Sequence, residues 1–393
     1  MIRVMAFAAG LVLLLTTTAQ PAFAQQPLTD VLSFLLTNRS IPTGDFTRDE
    51  QAAVATRDAI ASLLLAELNT LPINSPASGF TYRLDPAIGA TIRSSSSFGP
   101  FFLERSLTSG RRRASFAVAF TEASFQTIDG RDMRDGTLVA IASRFTGEAL
   151  PFDSETLTLR MQTRSVTVSG QYGLTDRLDV AVSVPFIRIS FSGDRIDTYR
   201  GTALTQATVD ASASGLGDIV VRAKYNVFRR GGAGIAVTGQ SRLKTGDAEF
   251  LLGGGRNIFT PALIASIDAN RVAVHGNLGY STGGTSKELS WGGALTFAST
   301  PRLTLIGEIL GRRLQTGGRL VEVTTPHPQL VGVQTIRLTA AEQSTNRALV
   351  VGGFRWNVAS QWLLNASILR PITTAGLNTR WTGSVTLDYA IGG

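Results

Sequence analysis

Residues 218–227 read Asp-Ile-Val-Val-Arg-Ala-Lys-Tyr-Asn-Val. Ile219, Val221, Ala223, Tyr225 and Val227 alternate with Asp218, Arg222, Lys224 and Asn226. Successive side chains of a strand point to opposite faces, so this stretch has one apolar and one charged face. A helix would bring its apolar residues round every three or four positions instead. The same alternation recurs downstream. Val272, Val274, Leu278 and Tyr280 stand against His275, Asn277 and Ser281. Leu289, Trp291, Leu295 and Phe297 stand against Ser290, Ala294 and Thr296. Ala348, Val350, Phe354 and Trp356 alternate with Arg355 and Asn357. Trp381, Val385, Leu387, Tyr389 and Ile391 alternate with Thr382, Ser384, Thr386 and Asp388.

A soluble antiparallel sandwich also alternates. Three features point to a membrane instead. The segments run to about ten residues or more, the length a tilted membrane strand needs. Aromatic residues fall near the ends of the apolar faces, where girdles belong. Short connections, such as Leu174 to Arg177 and Asp268 to Asn270, alternate with longer ones, such as 127–154 and 316–344. Beyond the first 24 residues no apolar run approaches the length of a membrane helix. A chain that crosses lipid without helices must close into a barrel, because lipid satisfies no open backbone edge. The expected fold is therefore all-β, a transmembrane antiparallel β-barrel with a short N-terminal helical segment. A hairpin over 78–106 brings the wall to about fourteen strands, with twelve as the alternative. The apolar set changes phase across Pro185 and again near Thr163 to Ser165, which predicts bulges there.

The N-terminus reads differently. Arg3, the apolar run through Leu11 to Leu15, and Ala22-Phe23-Ala24 before Gln25 form an export signal over residues 1–24. Residues 25–77 form a helical segment, plug or periplasmic, and the barrel takes 78–393. Asp30 to Leu36 is a short helix candidate and Arg48 to Leu68 a longer one. In the longer one Thr47 and Glu50 have capping-box spacing, and Ile60, Leu64 and Leu68 share a face. Arg48–Leu68 is the segment best suited to act as a plug. Cysteine is absent and histidine occurs only as His275 and His327, so thiolate and His-rich metal sites are excluded; no cofactor is expected. The formal charge of +8 falls to +7 without Arg3. Export and the scatter of the charges argue against nucleic acid, and Arg111-Arg112-Arg113 reads as a solvated turn.

Several stretches resemble the outer-membrane barrel family labelled "MetA-pathway of phenol degradation". They are Gly215-Leu216-Gly217-Asp218 leading to Arg222-Ala223-Lys224-Tyr225, and Gly173-Leu174-Thr175-Asp176-Arg177-Leu178-Asp179 closing on Val184-Pro185-Phe186. Thr245-Gly246-Asp247 with Gly253-Gly254-Gly255, and Ser97-Phe98-Gly99-Pro100 with Glu104-Arg105, fit as well. That family is similar in architecture to long-chain fatty-acid outer-membrane transporters. The resemblance implies uptake of hydrophobic or aromatic compounds, and it does not fix phenol as the ligand. Many such barrels end on an aromatic residue that assists assembly, whereas this sequence closes with Tyr389-Ala390-Ile391-Gly392-Gly393.

Strand parity gives the lumen-lining candidates: Arg188, Asp218, Arg222, Lys224, Arg242, Lys244, His275, Asn277, Glu308, Arg312, Arg355 and Asp388. They form either a pathway biased toward anions or cross-strand ion pairs that fill a narrow lumen. No catalytic residue is expected. Gly279-Tyr280-Ser281-Thr282-Gly283 matches G-x-S-x-G, but it lacks the strand–turn–helix elbow the motif needs. His275 lies six residues from Ser281 on one strand, about 20 Å away at the usual rise, too far to activate it. The expected role is a channel for small, hydrophobic or aromatic molecules by passive or gated diffusion, resident in the bacterial outer membrane. Its expected partners are membrane lipids, small-molecule solutes and the outer-membrane assembly machinery. The alternative is a structural or adhesive barrel acting through its external loops.

Overall fold

The computed structural model describes residues 26–39, 47–68, 74–75, 79, 82–85, 90–93, 95–284, 286–316, 319–359 and 361–391. The expected export signal lies outside them. The wall is a closed antiparallel barrel of twelve strands. They are β1 (Ala114–Ile128), β2 (Asp153–Gly173), β3 (Leu178–Tyr199), β4 (Thr202–Leu216, continuing as Val220–Arg230), β5 (Ala233–Arg242) and β6 (Ile258–Ala269). The other half comprises β7 (Val272–Ser281), β8 (Glu288–Thr300), β9 (Leu303–Leu314), β10 (Thr345–Ala359), β11 (Trp362–Pro371) and β12 (Leu377–Ile391). Pairing of β12 with β1, from Leu377 opposite Ile128 to Ile391 opposite Ala114, closes the ring.

The two strands expected from 78–106 do not join the wall. Tyr82–Asp85 and Ala90–Arg93 pair only with each other, as a separate two-stranded ribbon. Four-residue strands cannot cross a bilayer, which takes nine to eleven. The segment from Ser95 to Ser109 instead runs buried inside the barrel.

The expected bulge at Pro185 is absent. The β2–β3 register runs unbroken from Asp153 opposite Tyr199 to Gly173 opposite Asp179. In β3, Val180, Val182, Val184 and Phe186 point out, while Ile187, Ile189 and Phe191 point in. In β2, Val166, Val168 and Tyr172 point out, while Leu157, Leu159 and Met161 point in. Parity holds throughout; what changes is the surroundings. The half of each strand near the short turns meets lipid on its outer face. The half near the long loops leaves the lipid and packs inward on helices.

Pro185 has its own reason. Its carbonyl accepts the N–H of Gly217 at 2.8 Å, so its missing N–H also faces the break in β4 between Leu216 and Val220. No ladder donor is lost there. A Cβ at Gly217 would lie 2.6 Å from Ile187 Cδ1, so any larger residue at the break would have to displace that side chain.

Two helices sit inside the long-loop end: α1 (Leu28–Thr37) and α2 (Glu50–Leu68). Asp49, rather than Thr47, caps α2: its Oδ1 accepts the N–H of Ala52 at 3.0 Å. Leu32, Leu35, Leu36, Ile60, Leu63 and Leu64 are buried in one apolar cluster with Phe125, Leu159, Ile189 and Phe191 of the wall. The two longest loops also fold. Leu138–Phe145 pairs with β2 and with Val333–Ala340, which pairs with Leu320–Pro326. They form a β-collar around α2.

The outer surface carries the opposite signature. Phe116, Phe120, Val182, Phe186, Leu263, Leu278, Trp291, Leu295, Ile368 and Trp381 are all exposed. A continuous apolar band of this kind is a membrane surface. The fold is a transmembrane barrel with its lumen filled from the N-terminus.

Candidate functional site

The lumen is occupied in two tiers with a cavity between them. The tier at the short-turn end is the segment Ser95–Ser109, gripped by polar groups of the wall. The carboxylate of Glu308 accepts the backbone N–H groups of Phe101, Phe102 and Leu103, the last two at 3.2 Å. Arg355 Nη2 donates to the carbonyl of Pro100 at 2.6 Å, and its Nη1 lies 3.4 Å from Asp388. Asn365 also donates to Asp388, at 3.0 Å. Lys224 Nζ lies 3.0 Å from Glu104 Oε2, and Arg222 pairs with the other oxygen of that carboxylate. The N–H of Ser106 donates to Ser266 Oγ at 2.9 Å, and Ser266 in turn meets His275 Nδ1 at 3.0 Å. Phe98 packs on Leu363, and Phe101 on Ile306, Val351 and Leu369.

Backbone without regular structure carries donors and acceptors that must be satisfied wherever it is buried. The inward charges of the wall do that here. A carboxylate that accepts three adjacent N–H groups replaces the water they would otherwise need.

The tier at the long-loop end is α1 and α2. Besides the apolar cluster, a buried charge group ties it to the wall. Arg48 meets Asp153 at 2.8 Å and also Asp197, while Arg39 lies 3.5 Å from Glu155. Arg195 of the wall stands 3.2 Å from Asp197 and 3.8 Å from Glu155. At the inner end of α2, Glu67 pairs with Arg312 at 2.8 Å and with Arg347.

Between the tiers is a cavity of about 470 Å³. Leu65 and Leu68 of α2 line one end, and Phe102, Leu103 and Glu104 line the other. Its sides include Ile187, Ile189, Leu252, Leu310 and Leu314. Its acidic groups are Glu67, Glu104, Asp218 and Glu288, and its basic groups are Arg222, Arg242, Arg312 and Arg347. The charges balance, and the pairs already named join most of them. The structure therefore gives no anion-selective lining. It gives an apolar chamber with paired charges at its edges.

The twelve candidates divide accordingly. Asp218, Arg222, Arg242, Asn277 and Arg312 line the cavity. Lys224, His275, Glu308, Arg355 and Asp388 are buried against the Ser95–Ser109 tier. Arg188 is a correction: it points outward, since Ile187 and Ile189 on either side point in. Lys244 is another, because it lies exposed in the loop after β5. Asp218 has a structural duty as well. Its Oδ1 accepts the N–H of Gly246 at 3.0 Å and its Oδ2 that of Gly254 at 2.9 Å, which clamps the 245–255 loop. Gly253 allows this close approach, because a Cβ there would lie 2.5 Å from Asp218 Oδ1. Ser281 Oγ bonds Thr260 at 2.8 Å, so Ser281 and His275 each have another partner and form no pair.

Sequence reading did not single out Glu67 or Arg347, and it quoted Glu104 only in the family resemblance, not among the lumen candidates. A signal existed for Glu104: the wall offers more inward cations than its own carboxylates neutralise near β4.

The model of the family described as "Putative MetA-pathway of phenol degradation" matches residues 143–310. Among curated proteins no relative matches. Solved barrels align at low identity. One is an outer membrane channel from Pseudomonas putida F1, at 12% identity over 73% of this chain and 98% of that one, with a TM-score of 0.46. Another is a FadL homologue from Pseudomonas aeruginosa, at 9% identity over 71% of this chain and 90% of that one, with a TM-score of 0.31. A third is the translocator domain of the autotransporter NalP from Neisseria meningitidis, at 11% identity over 71% and 88%, with a TM-score of 0.37. The matched residues include the turn at Gly173 to Asp179, the Asp218 clamp and the Gly-rich loop it holds.

Proposed function

We propose that this chain is an exported outer-membrane channel that carries small hydrophobic or aromatic molecules through its lumen, by displacement of its own N-terminal segment. The observation that carries this reading is the chamber between the tiers. At about 470 Å³, its volume suits one small organic molecule. Its apolar sides favour uncharged or amphipathic solutes, and its balanced charges offer no net attraction to ions. A solute enters when one tier loosens and leaves when the other does. Membrane lipids surround the barrel, and the outer-membrane assembly machinery inserts it after residues 1–24 are removed.

The test is solute entry into liposomes that contain the full mature chain. An amphipathic aromatic solute that crosses pure lipid slowly, such as tryptophan, followed by its absorbance, should equilibrate faster than in empty liposomes. Potassium and chloride should pass slowly or not at all. Liposomes that pass neither would refute transport. The folded β-collar of the two longest loops would then favour the structural or adhesive alternative.

A further inference from the structure

The short-turn end of the barrel carries a basic collar. Arg111 and Arg112 lead into β1, and Arg177 sits in the β2–β3 turn. Arg229 and Arg230 end β4, Arg271 lies in the β6–β7 turn, and Arg302 lies in the β8–β9 turn. All seven are exposed. Among the described residues these connections hold only two carboxylates, Asp176 and Asp268. The opposite end is mixed: exposed Asp132, Asp135, Glu148, Asp247, Glu249 and Glu342 stand among its exposed arginines.

Four of the collar arginines lie close to the apolar band in sequence. Arg177 is three residues from exposed Leu174, and Arg229 follows exposed Val227 and Phe228. Arg271 precedes exposed Val272, and Arg302 lies three residues from exposed Leu305. At about 3.3 Å per residue, the guanidinium groups fall in the headgroup layer beside the band. Long arginine side chains reach such a layer while their stems stay on apolar surface. Their planar forks suit phosphate oxygens.

We propose that this collar binds the phosphates of anionic phospholipids in the leaflet at the short-turn end. The distribution selects the occupant. The turns lie around the circumference, so their charges do not converge on one small solute. The Ser95–Ser109 tier closes the centre of the mouth. A ring of lipid headgroups is the ligand that meets every turn at once. The sign of the charge selects anionic over zwitterionic lipid.

The test uses the full mature chain in non-ionic detergent, titrated with phosphatidylglycerol or phosphatidylcholine and followed by native mass spectrometry. Phosphatidylglycerol should be retained about five-fold more strongly, and the preference should shrink as salt rises. Replacing Arg177, Arg229, Arg230, Arg271 and Arg302 with Gln should abolish the preference. Replacing Arg160, Arg164, Arg188, Arg256 and Arg313 at the other end should leave it intact. Heat-dependent gel mobility confirms that each variant is folded. If the five-fold collar variant does not fold, R229Q/R230Q should still lower the preference measurably. Equal retention of the two lipids by the native chain, or a preference that survives the collar changes, overturns the proposal.

Discussion

Glu308 shows how one buried side chain can hold a tier in place. It accepts three backbone N–H groups, and Arg355 stands on the same segment through the Pro100 carbonyl. Glu308→Ala leaves those donors buried without acceptors. Each such loss costs about 1–3 kcal/mol, enough to release the segment locally while the wall stays closed. The expected outcome is faster hydrogen exchange at the amides of Phe101, Phe102 and Leu103, with the heat-shifted gel mobility of a folded barrel retained and conductance still low because α1 and α2 close the other end. Glu308→Gln keeps one acceptor and should fall between the two. Unchanged exchange at those amides in Glu308→Ala would show that the segment is held by other means. A second residue tests where the lipid ends. Val182 faces the band, so Val182→Arg should cost about 2–4 kcal/mol of stability. Ser190 points outward on the same strand but above the band, and Ser190→Arg should be near neutral in the same denaturant titration.

At the scale of elements, α1 and α2 close the long-loop end and Ser95–Ser109 closes the other. The two closures are separate, so loosening one should not open the pore. Arg48→Ala strips the buried carboxylates Asp153 and Asp197 of a partner and should expose α1 and α2 to added protease. Conductance should stay low until Glu308→Ala is added. An open pore in Arg48→Ala alone would refute two independent gates. Much of this architecture is legible in the sequence. Alternation locates the wall strands, the short turns and the ends of α2, because each has a period or a turn residue. Two features are not legible, for physical reasons. Period 2 states that Ile187 and Phe186 face opposite ways, but not which face meets lipid. The apolar face switches where β3 rises from lipid into contact with helices, and that looks like a bulge. The Ser95–Ser109 segment has no period at all. Its partners Lys224, Glu308 and Arg355 therefore look like the lining of an open pore.

For the whole molecule, the barrel and its filling are one structure. The wall alone would leave charged groups facing an unpaired interior, and the N-terminal segment alone would leave its apolar residues and irregular backbone unsatisfied. Each completes the other, with a chamber left between the tiers. The absence of native cysteine allows a clean test of this arrangement. Ser106 and Ser266 approach through a 2.9 Å hydrogen bond between the segment and β6. Replacing both with Cys in the membrane-embedded protein, and bridging them with a short bis-methanethiosulfonate, which forms a disulfide with each thiol and releases methanesulfinate, should give a shifted gel band that reverts on reduction. A folded, membrane-inserted barrel that yields no such band would contradict the account, because the segment would then lie outside the lumen.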